Sequence, residues 1–281
     1  MSRPQIYGIC LVKNEDDIIA QTLTYAAQHC DRIFVLDNGS SDETWSIVQD
    51  LARRSSTIIP FEQSSEPYGD WLRAKVVNAV HTELSDDDWW MIVDSDEFLA
   101  EDPRPVIDAA VAEQADLIST WQIQFYFTER DLTRWERGED CRSTPIVERG
   151  RYYVINWQEP RLFRNRRHRE WDARANIKVP DWVERDCRRR IFNRHYQFRD
   201  PEQMTKRLAL RHGHNLFPHV VSVNWRDSMR DSQKLTFHND GNPWRFTPSG
   251  VLYFHRRKLY YRARSVAARL VERAGLHGSQ M

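Results

Sequence analysis

Trp89-Trp90-Met91-Ile92-Val93-Asp94-Ser95-Asp96-Glu97-Phe98 is five apolar residues in a row followed at once by two carboxylates one residue apart. An uninterrupted apolar run of this length suits a strand buried on both faces, and its carboxyl end would deliver Asp94 and Asp96 to the rim of a sheet. Hard carboxylate oxygens suit Mg²⁺ or Mn²⁺, and such an ion can clamp a diphosphate while neutralising charge on a leaving group. Taken alone, the same segment also describes a solvated acidic turn after a strand.

Working outward, Ile6–Val12, Ile33–Leu36 and Thr57–Phe61 are further strand-like runs, and helical patterns lie between them. From Asp16 to His29, residues Ile18, Ile19, Leu23, Ala26 and Ala27 share one face, and after Ser41 the residues Trp45, Val48 and Leu51 do the same. Ser40 and Ser41 are the expected caps of that second helix, with Asp42 a helix-start residue. Such alternation predicts a mostly parallel sheet flanked by helices, with ligands at the carboxyl ends of its strands. Polar residues follow the first strand (Lys13-Asn14-Glu15) and the second (Asp37-Asn38-Gly39-Ser40-Ser41-Asp42-Glu43-Thr44), so three strand ends bring acids to one rim. Residues 116–127 form another expected strand, and an Arg-rich region then leads to a strand over 190–198. Asp200 caps the next helix, with Pro201 at its first position and Gln203 at its third.

The 281 residues carry 41 basic and 41 acidic side chains, yet residues 1–110 hold 8 Lys+Arg against 21 Asp+Glu. The remainder is correspondingly basic. That polarity reads either as complementary faces of one molecule or as an acidic cation-holding half beside a half that attracts anions. No apolar stretch approaches the ~20 residues of a membrane span, and no signal-peptide core follows the N-terminus, so a cytoplasmic location is expected. Cys10, Cys30, Cys141 and Cys187 are widely spaced and read as free thiols. Basic and apolar residues over 254–276 suggest an amphipathic helix that could lie on the inner face of an anionic membrane, or pack on the protein.

The VKNE segment ending at Glu15, the DNGSSDET box at 37–44 and DSDEF at 94–98 together resemble family 2 glycosyltransferases of the GT-A fold. The likeness is good over residues 6–100. It implies a GT-A (Rossmann-like) catalytic domain over 1–180, with a smaller, basic, helical acceptor-side region over 181–281. It also implies transfer of a sugar from a nucleoside-diphosphate sugar to a hydroxyl of a glycan, polysaccharide or lipid-linked acceptor, with Mn²⁺ or Mg²⁺ as cofactor and no nucleic acid as partner. Carried over by residue, the resemblance places Glu15 and Asp37 on the base and ribose, with Val12 and Asn14 beside them, and Arg73 against the diphosphate. Asp96 is the expected direct metal ligand and Asp94 a metal, ribose or sugar contact. Pro160–Asn165 and Asn193–Gln203 also look like this subgroup, which makes His195 the expected third metal ligand.

The sequence departs from the subgroup at 170–177, where relatives carry a His-Glu pair, and this leaves Glu159 and Asp172 as candidates for the general base. Two other functions compete. A phosphatase of the haloacid dehalogenase type also places D-x-D after an apolar strand, and would release phosphate from simple phosphomonoesters. A sugar- or nucleic-acid-binding module would use the Arg-rich half, although an acidic rim repels a polyanion.

Overall fold

The structure is a computed structural model that describes residues 3–173, 177–212 and 220–246. In chain order the elements are β1 (Ile6–Val12), α1 (Ile19–Ala26), β2 (Arg32–Asp37), α2 (Thr44–Arg54), β3 (Ile58–Gln63), α3 (Trp71–Val80), β4 (Trp89–Ile92), β5 (Glu97–Leu99) and α4 (Arg104–Ala112). They continue with β6 (Leu117–Phe125), α5 (Glu129–Glu136), α6 (Ile146–Arg149), β7 (Tyr152–Arg164), β8 (Ile191–His195), α7 (Pro201–Arg211) and β9 (Thr236–Phe237).

The continuous apolar runs are explained by burial on both faces. Along β1, Ile6, Cys10 and Val12 enter a core with α1, α2 and α4, whereas Tyr7, Ile9 and Leu11 enter a second core with α3. β4 alternates likewise, with Trp89 and Met91 on the first side and Trp90 and Ile92 on the second. Gly8 is required by this packing: a Cβ there would lie 3.0 Å from Ile33 and 3.2 Å from Val93.

One sheet runs β3-β2-β1-β4-β7-β6-β8-β5, with β9 on β7. The expected parallel pairing holds across β3, β2, β1 and β4, and the far half is mixed: β7 is antiparallel to β4 and β6, β8 is parallel to β6, and β5 is antiparallel to β8. Three strands separate β4 from β5 in the sheet, yet only residues 93–96 join them. Five Cα steps reach at most about 18 Å, whereas four spacings in a flat sheet cover about 19 Å. The far half therefore curls, helped by two register shifts between β6 and β7. The 93–96 link carries both aspartates to the cleft beyond the carboxyl end of β4. A third core packs Phe98, Phe125, Tyr153 and Tyr196 with Ile18 of the α1 side. β8 and α7 complete this arrangement, so the sheet draws on both sides of residue 180.

The α7 cap forms as expected, with Asp200 accepting the Gln203 N–H at 2.9 Å and Pro201 at the first turn. The α2 start is a correction. Ser40 Oγ is occupied by the Asn14 N–H and Asn14 Oδ1 takes the Ser41 N–H, so Asp42 accepts the Thr44 N–H at 3.0 Å instead. All four cysteines are free thiols. Among the described residues no helix is long and apolar enough to cross a membrane. The expected amphipathic helix over 254–276 lies outside the described residues.

Candidate active site

A cleft of about 880 Å³ opens at the carboxyl ends of β1 and β4, between β7, β8 and α7. This is the size and place of a ligand site in an open α/β sheet. Glu15, Arg73, Asp94, Asp96, Glu159 and His195, all named from sequence, line it.

Its β1 edge is set by Asn14, whose φ of 54° is in the left-handed region that asparagine tolerates. The turn there lets the Glu15 N–H reach Thr44 Oγ1 at 2.8 Å. The Glu15 side chain pairs with Arg199, and with Arg207 Nη1 at 3.2 Å. Burial raises its pKa, against the pull of those two guanidiniums. Asp37 ends β2 fully buried behind this edge. Its Oδ1 accepts the Ser40 N–H at 2.8 Å and Gln63 Nε2 at 3.2 Å, and its buried Oδ2 has no hydrogen-bond partner. Val12 belongs to the core, and its carbonyl accepts the Asn38 N–H, so Leu11 and Asn14 line the cleft on either side of it.

Beyond β4 the acids divide into two groups, and the expected ligand set Asp94, Asp96 and His195 does not form one cluster. Asp94 joins Glu97 and Glu159, whose ligating oxygens lie within 4.8 Å of one another. Arg161 fills that group: its Nη2 donates to Asp94 at 3.0 Å, to Glu97 at 2.5 Å and to Glu159 at 2.6 Å. Arg73 takes the other oxygen of Asp94 at 2.8 Å and also pairs with Asp70, so its charge is spent on carboxylates. Lys178 holds the second oxygen of Glu159 at 2.9 Å. Burial works against ionisation of Asp94, but Arg161 and Arg73 overcome it and hold its pKa below the usual carboxylate range. Glu159 is lowered too, burial being outweighed by Arg161 and Lys178, whereas burial keeps Glu97 raised.

Asp96 turns the other way, toward His195. The β5–β8 ladder sets Glu97 opposite His195, and the Tyr196 N–H donates to the Asp96 carbonyl at 2.8 Å. This leaves His195 Nε2 3.4 Å from Asp96 Oδ2, with Arg207 Nη2 at 3.2 Å and Arg199 Nη1 at 4.0 Å. Oδ2 is ringed by positive groups yet receives no well-formed hydrogen bond, and His195 Nδ1 is also buried without one. Burial works to strip the His195 proton and Asp96 more than offsets it, so the imidazole pKa is raised. Asp96 is held well below its usual range, with His195 and Arg207 outweighing burial.

Asp172 is exposed and is not among the residues lining the cleft, whereas Glu159 and Trp157 are. Sequence reasoning passed over Glu97, Arg161, Arg199 and Arg207. Arg161 and Arg199 lay inside segments already singled out, PRLFRN and NRHYQFRDPEQ, and their signal was a charge in an apolar or aromatic setting. Arg207 carried none beyond its α7 periodicity.

The family described as Glycosyl transferase family 2 matches residues 9–177, more than half of the chain. Among solved structures, the chain is similar to S. aureus TarS 1-349, with 13% identity, 73% of this chain and 64% of that one covered, and a TM-score of 0.37. It is also similar to a mannosyltransferase, PcManGT from Pyrobaculum calidifontis, in complex with GDP-Man and Mn²⁺. There the identity is 16%, the coverage 100% of this chain and 77% of that one, and the TM-score 0.42. The chain thus spans 64% of the TarS fragment's length. No curated protein matches.

Proposed function

The chain belongs to glycosyl transferase family 2, and we propose that it is a glycosyltransferase that moves a hexosyl or related sugar from a nucleoside-diphosphate sugar to a hydroxyl acceptor, aided by Mn²⁺ or Mg²⁺. The observation that carries this reading is the buried Oδ2 of Asp96, which lacks a hydrogen-bond partner and faces His195 at 3.4 Å. An anionic oxygen and an imidazole together are a donor set that suits Mn²⁺. Asp96 and His195 would hold the ion, which when bound supplies positive charge to the departing diphosphate. Asp94 would join only by releasing Arg73 or Arg161.

The other roles fall to the chain's own groups. Asp37 is fully buried and does not line the cleft, so its Oδ2, which has no hydrogen-bond partner, would accept an N–H of the nucleotide base only once the β1 edge opens to admit it. Glu15 would accept the ribose hydroxyls. Glu159 lines the cleft and Asp172 does not, so Glu159 is the better placed of the two base candidates. Its lowered pKa makes it a weak base, suited to taking the hydroxyl proton late, as the new C–O bond forms. The acceptor would be a glycan, polysaccharide or lipid-linked sugar.

A thermal-shift panel of nucleoside diphosphates and sugar nucleotides with Mn²⁺ tests this reading, because a ligand that binds only the folded state raises apparent stability. At least one nucleotide should raise the midpoint in Mn²⁺ and fail to do so in chelator. No shift with any of them, together with phosphate release from simple phosphomonoesters or salt-sensitive RNA binding, would overturn it.

A further inference from the structure

We infer that Arg207 is a coupling residue that ties the nucleotide end of the cleft to its cation end and competes with a divalent ion for Asp96, so that cation and nucleoside diphosphate bind cooperatively. The inference rests on the reading just proposed. Arg207 stands on α7, which the Asp200 cap and the Arg142–Asp200 pair at 3.0 Å fix against the cleft. Its Nη1 lies 3.2 Å from Glu15 Oε1 and its Nη2 3.2 Å from Asp96 Oδ2, so one guanidinium spans the acids that follow β1 and β4. The side chain is 10% exposed, and its Nε is buried without a hydrogen-bond partner.

Glu15 is shared by two guanidiniums, those of Arg199 and Arg207. Arg199, fully buried, already pairs with Glu15 and with Asp17. One turn further along α7, Arg211 also lines the cleft, its pKa pushed down to about 10 by burial and by repulsion from Arg207. Arg207 is thus the α7 cation that contacts Glu15 and Asp96 together.

A divalent ion on Asp96 Oδ2 and a guanidinium nitrogen at 3.2 Å from the same oxygen repel each other strongly in a cleft of low dielectric. Binding the ion therefore frees Nη2 of Arg207, still anchored through Nη1 to Glu15, to face the cleft. A diphosphate is the ligand whose charge satisfies both cations together. The ion alone binds against Arg207, and the nucleotide removes that opposition. By linkage each ligand raises the other's affinity by one factor, in the range of about 5–150-fold for typical couplings.

The test measures Mn²⁺ affinity from the spectrum of the free aquo ion, alone and with UDP or GDP, and nucleotide affinity by calorimetry, alone and with Mn²⁺. In Arg207→Gln, Mn²⁺ alone should bind at least about fivefold more tightly than in wild type, and the coupling factor should fall below the wild-type one to what the direct attraction of ion and diphosphate supplies. Arg207→Lys keeps the charge but cannot span both acids, so it should show an intermediate factor, and it carries the test if the glutamine variant does not fold. A wild-type coupling factor in either folded variant overturns the inference. Wild-type protein that binds neither Mn²⁺ nor a nucleoside diphosphate overturns the proposed function, and the inference with it.

Discussion

Arg161 is 3% exposed and holds Asp94, Glu97 and Glu159 about a single nitrogen. Arg161 and Glu97 are both deeply buried, and removing one partner of a buried set leaves the others uncompensated. Arg161→Met should therefore lower the unfolding free energy by about 3–5 kcal/mol. Adding Glu97→Gln should recover part of that loss, because burial already keeps Glu97 raised. Urea denaturation of the single and double variants checks this, and a single variant as stable as wild type would contradict it. The pairing also shows why site residues were unevenly legible. Asp94 and Asp96 stand out in sequence because they break an apolar run, but which cation each faces is decided by strands more than sixty residues away. The sequence put both aspartates and His195 on one ion, whereas the curl of the sheet gives Asp94 to Arg161 and leaves Asp96 with His195.

At the scale of elements, β1, β2, β4 and the α7 cap were readable because local signals coincide with burial: β1 is apolar at every position except Gly8, and all seven residues are buried. β7 was not readable. Asn156, Gln158, Glu159 and Arg161 interrupt its pattern because it crosses from core to cleft, and register shifts in the β6–β7 ladder break its period of two. α5 adds a pH dependence. Thr128 and Asp131 form a capping box, with the Asp131 carboxylate accepting the Thr128 N–H at 2.8 Å and its hydroxyl at 2.6 Å. Burial pushes the Asp131 pKa up to about 6, against those hydrogen bonds. A folded-state pKa above the unfolded one means that the native state binds the extra proton. The associated stability is complete below about pH 4 and is lost as pH rises through about 6. Asp131→Asn removes this titration, so the wild-type urea midpoint should fall relative to the variant between pH 4 and 6, and parallel profiles would contradict the assignment.

At the scale of the molecule, acids of the N-terminal part meet arginines of the later part at the cleft. Arg161 serves Asp94 and Glu97, Arg199 serves Glu15 and Asp17, and Arg207 serves Glu15 and Asp96. Complementary pairing thus accounts for part of a polarity that sequence alone left open between self-pairing and attraction of an anion. The pairing is incomplete at Asp96, where the cations stand around an oxygen that none of them properly bonds, and there the proposed chemistry concentrates. The most direct measurement is release of nucleoside diphosphate from the sugar nucleotide that most stabilises the protein, followed in Mn²⁺, in excess chelator, and with folded Asp96→Asn. Release should stop in chelator and return with Mn²⁺, and Asp96→Asn, which keeps the shape but removes the anionic oxygen, should slow it about a hundredfold or more. Full release in excess chelator, or a wild-type rate from folded Asp96→Asn, would contradict a metal-assisted transfer centred on Asp96.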